Sequence, residues 1–255
     1  MFHNFITALQ FLTIFTVKKD HEVREDELAR SMVFFPFIGF LIGIILVYSD
    51  RLLLRLFPDT IANIFILLIS VVITRALHVD GLADSVDGIM GGRDPQSRLA
   101  IMRDSRIGTA GVLAILFVML IRYVCLNNLF EDYKAAALLT APAFSRWSQM
   151  LMMFKANYGR PSGMGKAFVG HVRSSGIVAA SIITVGLSGF VIYQYDVRTA
   201  ILAVALPLVV GLCTVLWRWF VVRKTGGVTG DSVGAASELN EALTLLLFVF
   251  LLSER

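Results

Sequence analysis

Seven stretches of this chain are apolar over roughly the length that crosses a bilayer: 31–49, 60–77, 107–124, 135–154, 176–194, 199–217 and 239–252. About 20 mostly apolar residues in a helix cover a hydrocarbon core of about 30 Å. Inside such a core the backbone must satisfy its own hydrogen bonds, which leaves only helices and closed barrels. These runs are continuous rather than alternating, and that selects helices. Composition agrees, with 56% hydrophobic and 16% charged residues, where a soluble domain has about a quarter charged. The expected fold is an all-α polytopic integral membrane bundle of about seven transmembrane helices, one catalytic domain over 1–255. Two cysteines, Cys125 and Cys213, exclude a disulfide framework.

The first apolar segment, 2–17, is shorter. Its polar residues His3, Asn4, Thr7, Gln10 and Thr13 recur at steps of three or four, along one helical face. It is expected to be a short helix that either crosses or lies in the interface. Lys18 and Lys19 follow the apolar run instead of preceding it, unlike a signal peptide.

The net charge of +4 invites a nucleic-acid reading, but the cations are distributed as a membrane protein distributes them. The connections 18–30, 75–106, 155–173 and 218–224 hold sixteen of the 23 Lys and Arg residues, and the alternate connections hold six. Arg146 falls inside an apolar run. Such alternation is the positive-inside pattern. It places 18–30, 75–106, 155–173 and 218–238 in the cytoplasm and the C-terminus outside, in the cell membrane. The surroundings are then lipid, with no nucleic acid partner; a homo-oligomer is left open.

What chemistry the chain carries is concentrated in 78-HVDGLADSVDGIMGGRD-94. Asp80, Asp84 and Asp87 stand at i, i+4 and i+7, within about 60° of one another on a helix. No Lys or Arg lies between Arg75 and Arg93 to balance them. An acidic helix end beside the bilayer would give the same residues, but aligned charges near a membrane are costly and usually functional. Carboxylates without nitrogen or sulfur partners favour a hard cation such as Mg²⁺, which also takes phosphate oxygens. His78 beside them is a candidate acid–base group or phosphate donor.

The next segment, 93-RDPQSRLAIMRDSRIG-108, contributes Arg93, Arg98, Arg103 and Arg106 with Asp94 and Asp104. The planar guanidinium fork suits phosphate oxygens, so acids for a metal lie next to arginines for an oxyanion. Arg146 is expensive at its depth unless it meets a cavity, an anion or a buried carboxylate. The loop 158-YGRPSGMGKAFVGHVR-173 adds Arg160, Lys166, His171 and Arg173, and Gly-rich 226–238 adds Asp231 and Glu238. No CxxC, HExxH, P-loop or dinucleotide fingerprint is present.

HVDGLADSVDG with GGRD, then RDSRIGTAGVLA, SRW at 145–147, YGRPSGMGKAF at 158–168 and GGVTGDSVGA at 226–235 resemble the cobalamin synthase family of adenosylcobinamide-GDP ribazoletransferases. ALQFLTIFTV and FFPFIG at 34–39 extend the likeness over almost the whole chain. The family pattern usually reads HLDGLADTADG; Val79, Ser85 and Val86 depart from it while every acid is kept. The resemblance implies an Mg²⁺-dependent phosphotransferase joining adenosylcobinamide-GDP to α-ribazole or its 5′-phosphate, with release of GMP. On that reading Asp80, Asp84 and Asp87 hold the metal, and one of them or His78 accepts the hydroxyl proton. Arg93, Arg103, Arg106, Arg146 and Arg160 clamp the diphosphate, with Asp104 and Lys166 among the substrate-binding residues. Asp231 completes the metal site or holds a ribose. A secondary transporter is the rival reading, since it too would bury arginine and acids, though near its midplane and between repeats.

Overall fold

The computed structural model describes residues 2–17, 25–194 and 200–252. Lys18, Lys19, Arg24, Arg198 and Arg255, counted above among the loop cations, lie outside them. Regular structure among the described residues is helical: α1 (Phe2–Leu12), α2 (Glu25–Ser31), α3 (Phe35–Leu53), α4 (Asp59–Ile73), α5 (Leu77–Gly91), α6 (Pro95–Ile101), α7 (Thr109–Asn127), α8 (Glu131–Met153), α9 (Ser174–Tyr193), α10 (Ala200–Thr225) and α11 (Gly230–Leu252). A parallel bridge joins Tyr158 to Val228.

Each of the seven apolar runs is largely helical, and the chain is a multi-pass membrane protein. Residues 27–53, with α7, α9, α10 and α11, give five helices long and apolar enough to cross. The two remaining runs deviate for visible reasons. α4 has 15 residues and stops short of the expected end at 77, because Arg75 and Ala76 take left-handed backbone (φ 54° at each) and α5 departs at 87°. α8 is the polar one, carrying Lys134, Ser145, Arg146, Ser148 and Gln149, all buried. It is the central helix, shielded from lipid by its neighbours.

The approach of α3 to α8 depends on Gly39 and Gly43, a small-xxx-small pair. A Cβ on Gly43 would stand 2.7 Å from the Leu138 carbonyl oxygen. Around this centre the outer helices turn apolar side chains outward. Ile201, Val204, Leu208, Leu212 and Val215 of α10 are exposed at steps of three or four, the stripe expected of a lipid-facing surface.

Two corrections to the sequence reading concern where connections end. The last helix starts at Gly230, so 230–238 belongs to α11 and the link from α10 is only four residues, 226–229. Glycine weakens a helix in isolation, but here the packing against α5 requires it. Arg122, counted among the outer loop cations, lies inside α7 and is buried, which sharpens the charge asymmetry.

Helix α1 has 11 residues and rises only about 16 Å, too little to cross. It docks on the α4–α5 break. The Arg75 guanidinium donates to the carbonyls of Gln10 (2.7 Å) and Thr13 (2.6 Å), and Ile14 N–H donates to Ile73 O at 2.8 Å.

The connections sort into two ends. At one, Gly159 N–H donates to Val228 O and Val228 N–H donates to Asn157 O, each at 2.9 Å, Arg103 donates to Ser162 O at 3.1 Å, and Arg98 donates to Lys224 O at 2.9 Å. At the other, Lys134 joins Asp50 (2.7 Å) and Asp59 (3.4 Å), tying α3, α4 and α8. The cation-rich connections that are described therefore gather at one end.

Candidate active site

The break after α4 turns α5 away from the spans, along the cation-rich end of the bundle. Its acidic face stays wet: Asp80 is exposed, while Asp84 and Asp87 are half-buried. The opposite face packs on the start of α11. A Cβ on Gly81 would come 2.8 Å from Asp231 O, and one on Gly234 would come 3.3 Å from His78 Cα. Two glycines on facing helices thus bring Asp231 into the company of the α5 carboxylates. The wall opposite is the loop after α8, pinned to Val228 through Gly159.

These elements enclose a cavity of about 380 Å³ bordered by His78, Asp80, Gln149, Tyr158, Arg160 and Asp231. Arg160 Nη2 donates to Asp231 Oδ2 at 2.5 Å. Burial pushes the Asp84 carboxyl up to about 7; the charges of Asp80 and Asp231 add to the rise, Arg160 opposes it and Asp87 contributes least. Burial likewise raises the Tyr158 phenol. A carboxyl so placed, among like charges with one guanidinium nearby, favours a second cation beside it.

Asp87 is spent differently from its neighbours. Its Oδ2 accepts from Gly108 N–H (2.7 Å) and its Oδ1 from Gly111 N–H (2.8 Å). It therefore caps α7, where the helix leaves N–H groups without internal partners.

The chain's own residues suit a divalent cation by chemistry. Asp80 and Asp231 are hard oxygen donors on the cavity, Asp84 stands close enough to feel both their charges, and Mg²⁺ needs few protein carboxylates when phosphate oxygens complete its shell. Among the described residues no three His, Cys, Asp or Glu side chains close into a finished cage.

The remaining candidates are scattered. Asp104 and Arg106 pair with each other at 2.6 Å on the surface, and the Arg106 hydrogen bonds hold the Asp104 carboxyl down at about 2. Arg93 is exposed, its carbonyl accepting from Arg98. Arg103 reaches the cavity loop through Ser162 O, and Lys166 donates to Pro161 O at 3.2 Å. Arg146 is buried behind the cavity and donates to Glu241 at 2.9 Å. Spacing did not flag Gln149 and Tyr158; a glutamine within an apolar run was the available signal for the first, and the place of the second at the head of the YGRPSG motif was its signal. A larger hollow of about 940 Å³ lies beyond, bordered by Arg30, Met32, Met150, His171 and Arg173.

Residues 4–249 match the family model described as cobalamin-5-phosphate synthase. The chain is 34% identical to the adenosylcobinamide-GDP ribazoletransferase of Geotalea daltonii over 98% of each chain. It is 35% identical to the enzymes of that name from Clostridium novyi, over 95% of each chain, and Clostridioides difficile, over 97% of each. No solved structure matches it.

Proposed function

The chain belongs to the cobalamin-5-phosphate synthase family, and from that premise we propose that it joins adenosylcobinamide-GDP to α-ribazole or α-ribazole 5′-phosphate with Mg²⁺, releasing GMP. The observation that carries this reading is the near full-length family match, meeting a cavity where acids and an arginine face each other. Family membership makes the chain a transferase of cobalamin biosynthesis; the substrates and the metal are the proposal.

The chemistry suits the residues. A ribazole hydroxyl oxygen attacks the phosphorus attached to cobinamide, forming a new P–O bond. The bond from that phosphorus to the bridging oxygen breaks, and GMP leaves with the electron pair. Phosphoryl transfer is mostly positioning and neutralisation of charge. Asp80 and Asp84, with Asp231, would hold Mg²⁺, which when bound supplies positive charge to the phosphate oxygens. Arg160 sits where it can exchange Asp231 for a phosphate oxygen, and a cavity carboxylate takes the hydroxyl proton. The cavity of 380 Å³ is too small for both substrates whole, and the hollow of 940 Å³ offers room for a bulky portion. The cation-rich end, with this site, faces the cytoplasm under the positive-inside rule.

Purified protein with Mg²⁺ and both substrates should release GMP in step with product. A transporter would bind a substrate and release none, and that outcome would sink the reading.

A further inference from the structure

Behind the cavity runs a continuous line of buried hydrogen bonds that transfer chemistry does not by itself require. Arg122 of α7 pairs with Glu238 (2.8 Å) and with Glu241 of α11. Arg146 Nη1 donates to Glu241 (2.9 Å) and to Ser145 Oγ (3.2 Å). Ser145 Oγ meets Ser237 Oγ at 2.5 Å, and Gln149 Nε2 donates to Ser237 Oγ at 2.8 Å. The same amide nitrogen lies 2.9 Å from Nε2 of His78. Four helices thus converge on one imidazole edge.

The other edge is the telling one. His78 is 4% exposed, and its Nδ1 is buried with no hydrogen-bond partner among the described residues. A buried ring nitrogen left unpaired costs free energy, and His78 borders the cavity beside Asp80.

Taking the transfer reaction above as given, we infer that Gln149 is a positioning residue that fixes the tautomer of His78. The amide N–H of Gln149 occupies Nε2 as its acceptor and leaves the ring proton on Nδ1. His78 then meets the substrate as a neutral donor, suited to a phosphate oxygen, and does not take the hydroxyl proton. Which ring nitrogen carries the proton is set by the bond made at the other. The Arg122–Glu241–Arg146 cluster fastens Gln149 through the two serines, so that neither amide nor ring turns freely.

Nitrogen-15 NMR of histidine-labelled protein, with the His78 signal identified by its loss in His78→Gln, reads the tautomer without any substrate. The expected result is a protonated Nδ1 and an unprotonated Nε2. Gln149→Glu, nearly isosteric but unable to donate, should reverse the pair and lower kcat by about 10- to 100-fold with KM little changed. His78→Asn, whose amide nitrogen falls near the Nδ1 position, should retain more activity than His78→Gln. A protonated Nε2 in the unmutated protein overturns the inference whether or not the variants fold. An unchanged kcat in Gln149→Glu overturns it as well. If the unmutated protein releases no GMP, the reaction assignment fails instead, and the NMR result still decides the tautomer.

Discussion

At the scale of single residues, three aspartates of one helical face have different occupations. Asp84 is the carboxyl that burial and like charges make hardest to ionise without a cation, so it is the position most dependent on metal. Asp84→Asn should lower turnover at least about 100-fold, while the variant inserts and purifies normally; full activity would remove Asp84 from the metal site. Asp87 holds two amides of α7. Replacing it with alanine should cost about 2 kcal/mol of stability, in the range of a lost helix cap, seen as a lower unfolding midpoint. Spacing made these residues legible as a set, since i, i+4 and i+7 share a face. It could not distinguish them, because the amides of Gly108 and Gly111 come from an element 21 residues further on.

At the scale of elements, glycine decides where helices meet. α3 lies on α8 through Gly39 and Gly43, and α5 lies on α11 through Gly81 and Gly234. Gly81→Val should separate α5 from α11, loosening Asp231 and His78 together, so activity should fall further than stability; equal activity would show that the α5–α11 contact is not needed for the site. The apolar runs made α3, α7 and α9 readable to within a few residues, while α10 runs on to Thr225, eight residues past its run. Two features escaped for one physical reason: contacts made in the folded bundle overrode local preference. The glycines of 226–238 read as a connection, yet Gly230 and Gly234 lie in α11, and at Gly234 the absence of a side chain allows the close packing on α5. The run 60–77 read as one span, yet left-handed Arg75 and Ala76 break it, with Arg75 held by the carbonyls of Gln10 and Thr13 at the end of α1. Nothing in the local sequence announces that anchor.

At the scale of the whole molecule, lipid-facing stripes surround a polar interior. Glu241→Gln removes the charge shared by Arg122 and Arg146 and turns an NH₂ donor on one of them, and should cost about 3–5 kcal/mol, the usual cost of breaking a buried pair. Thermal unfolding in detergent measures it, and Gln149 should lose its support in the same variant. Orientation is tested with single cysteines in a background lacking Cys125 and Cys213. An impermeant maleimide added to intact cells should label Arg55→Cys and spare Ser105→Cys until the membrane is opened. The reverse pattern would place the site outside.

The buried group of Arg122, Arg146, Glu238 and Glu241 has one further consequence. Two positive and two negative charges held rigidly together sum to nothing, and a transmembrane voltage does work only on charge that moves, about 2.3 kcal/mol per elementary charge per 100 mV. This buried group therefore offers the voltage no handle. Liposomes clamped at opposite polarities should turn over substrate at the same rate, leaving a cell free to complete the reaction whether its membrane is energised or collapsed.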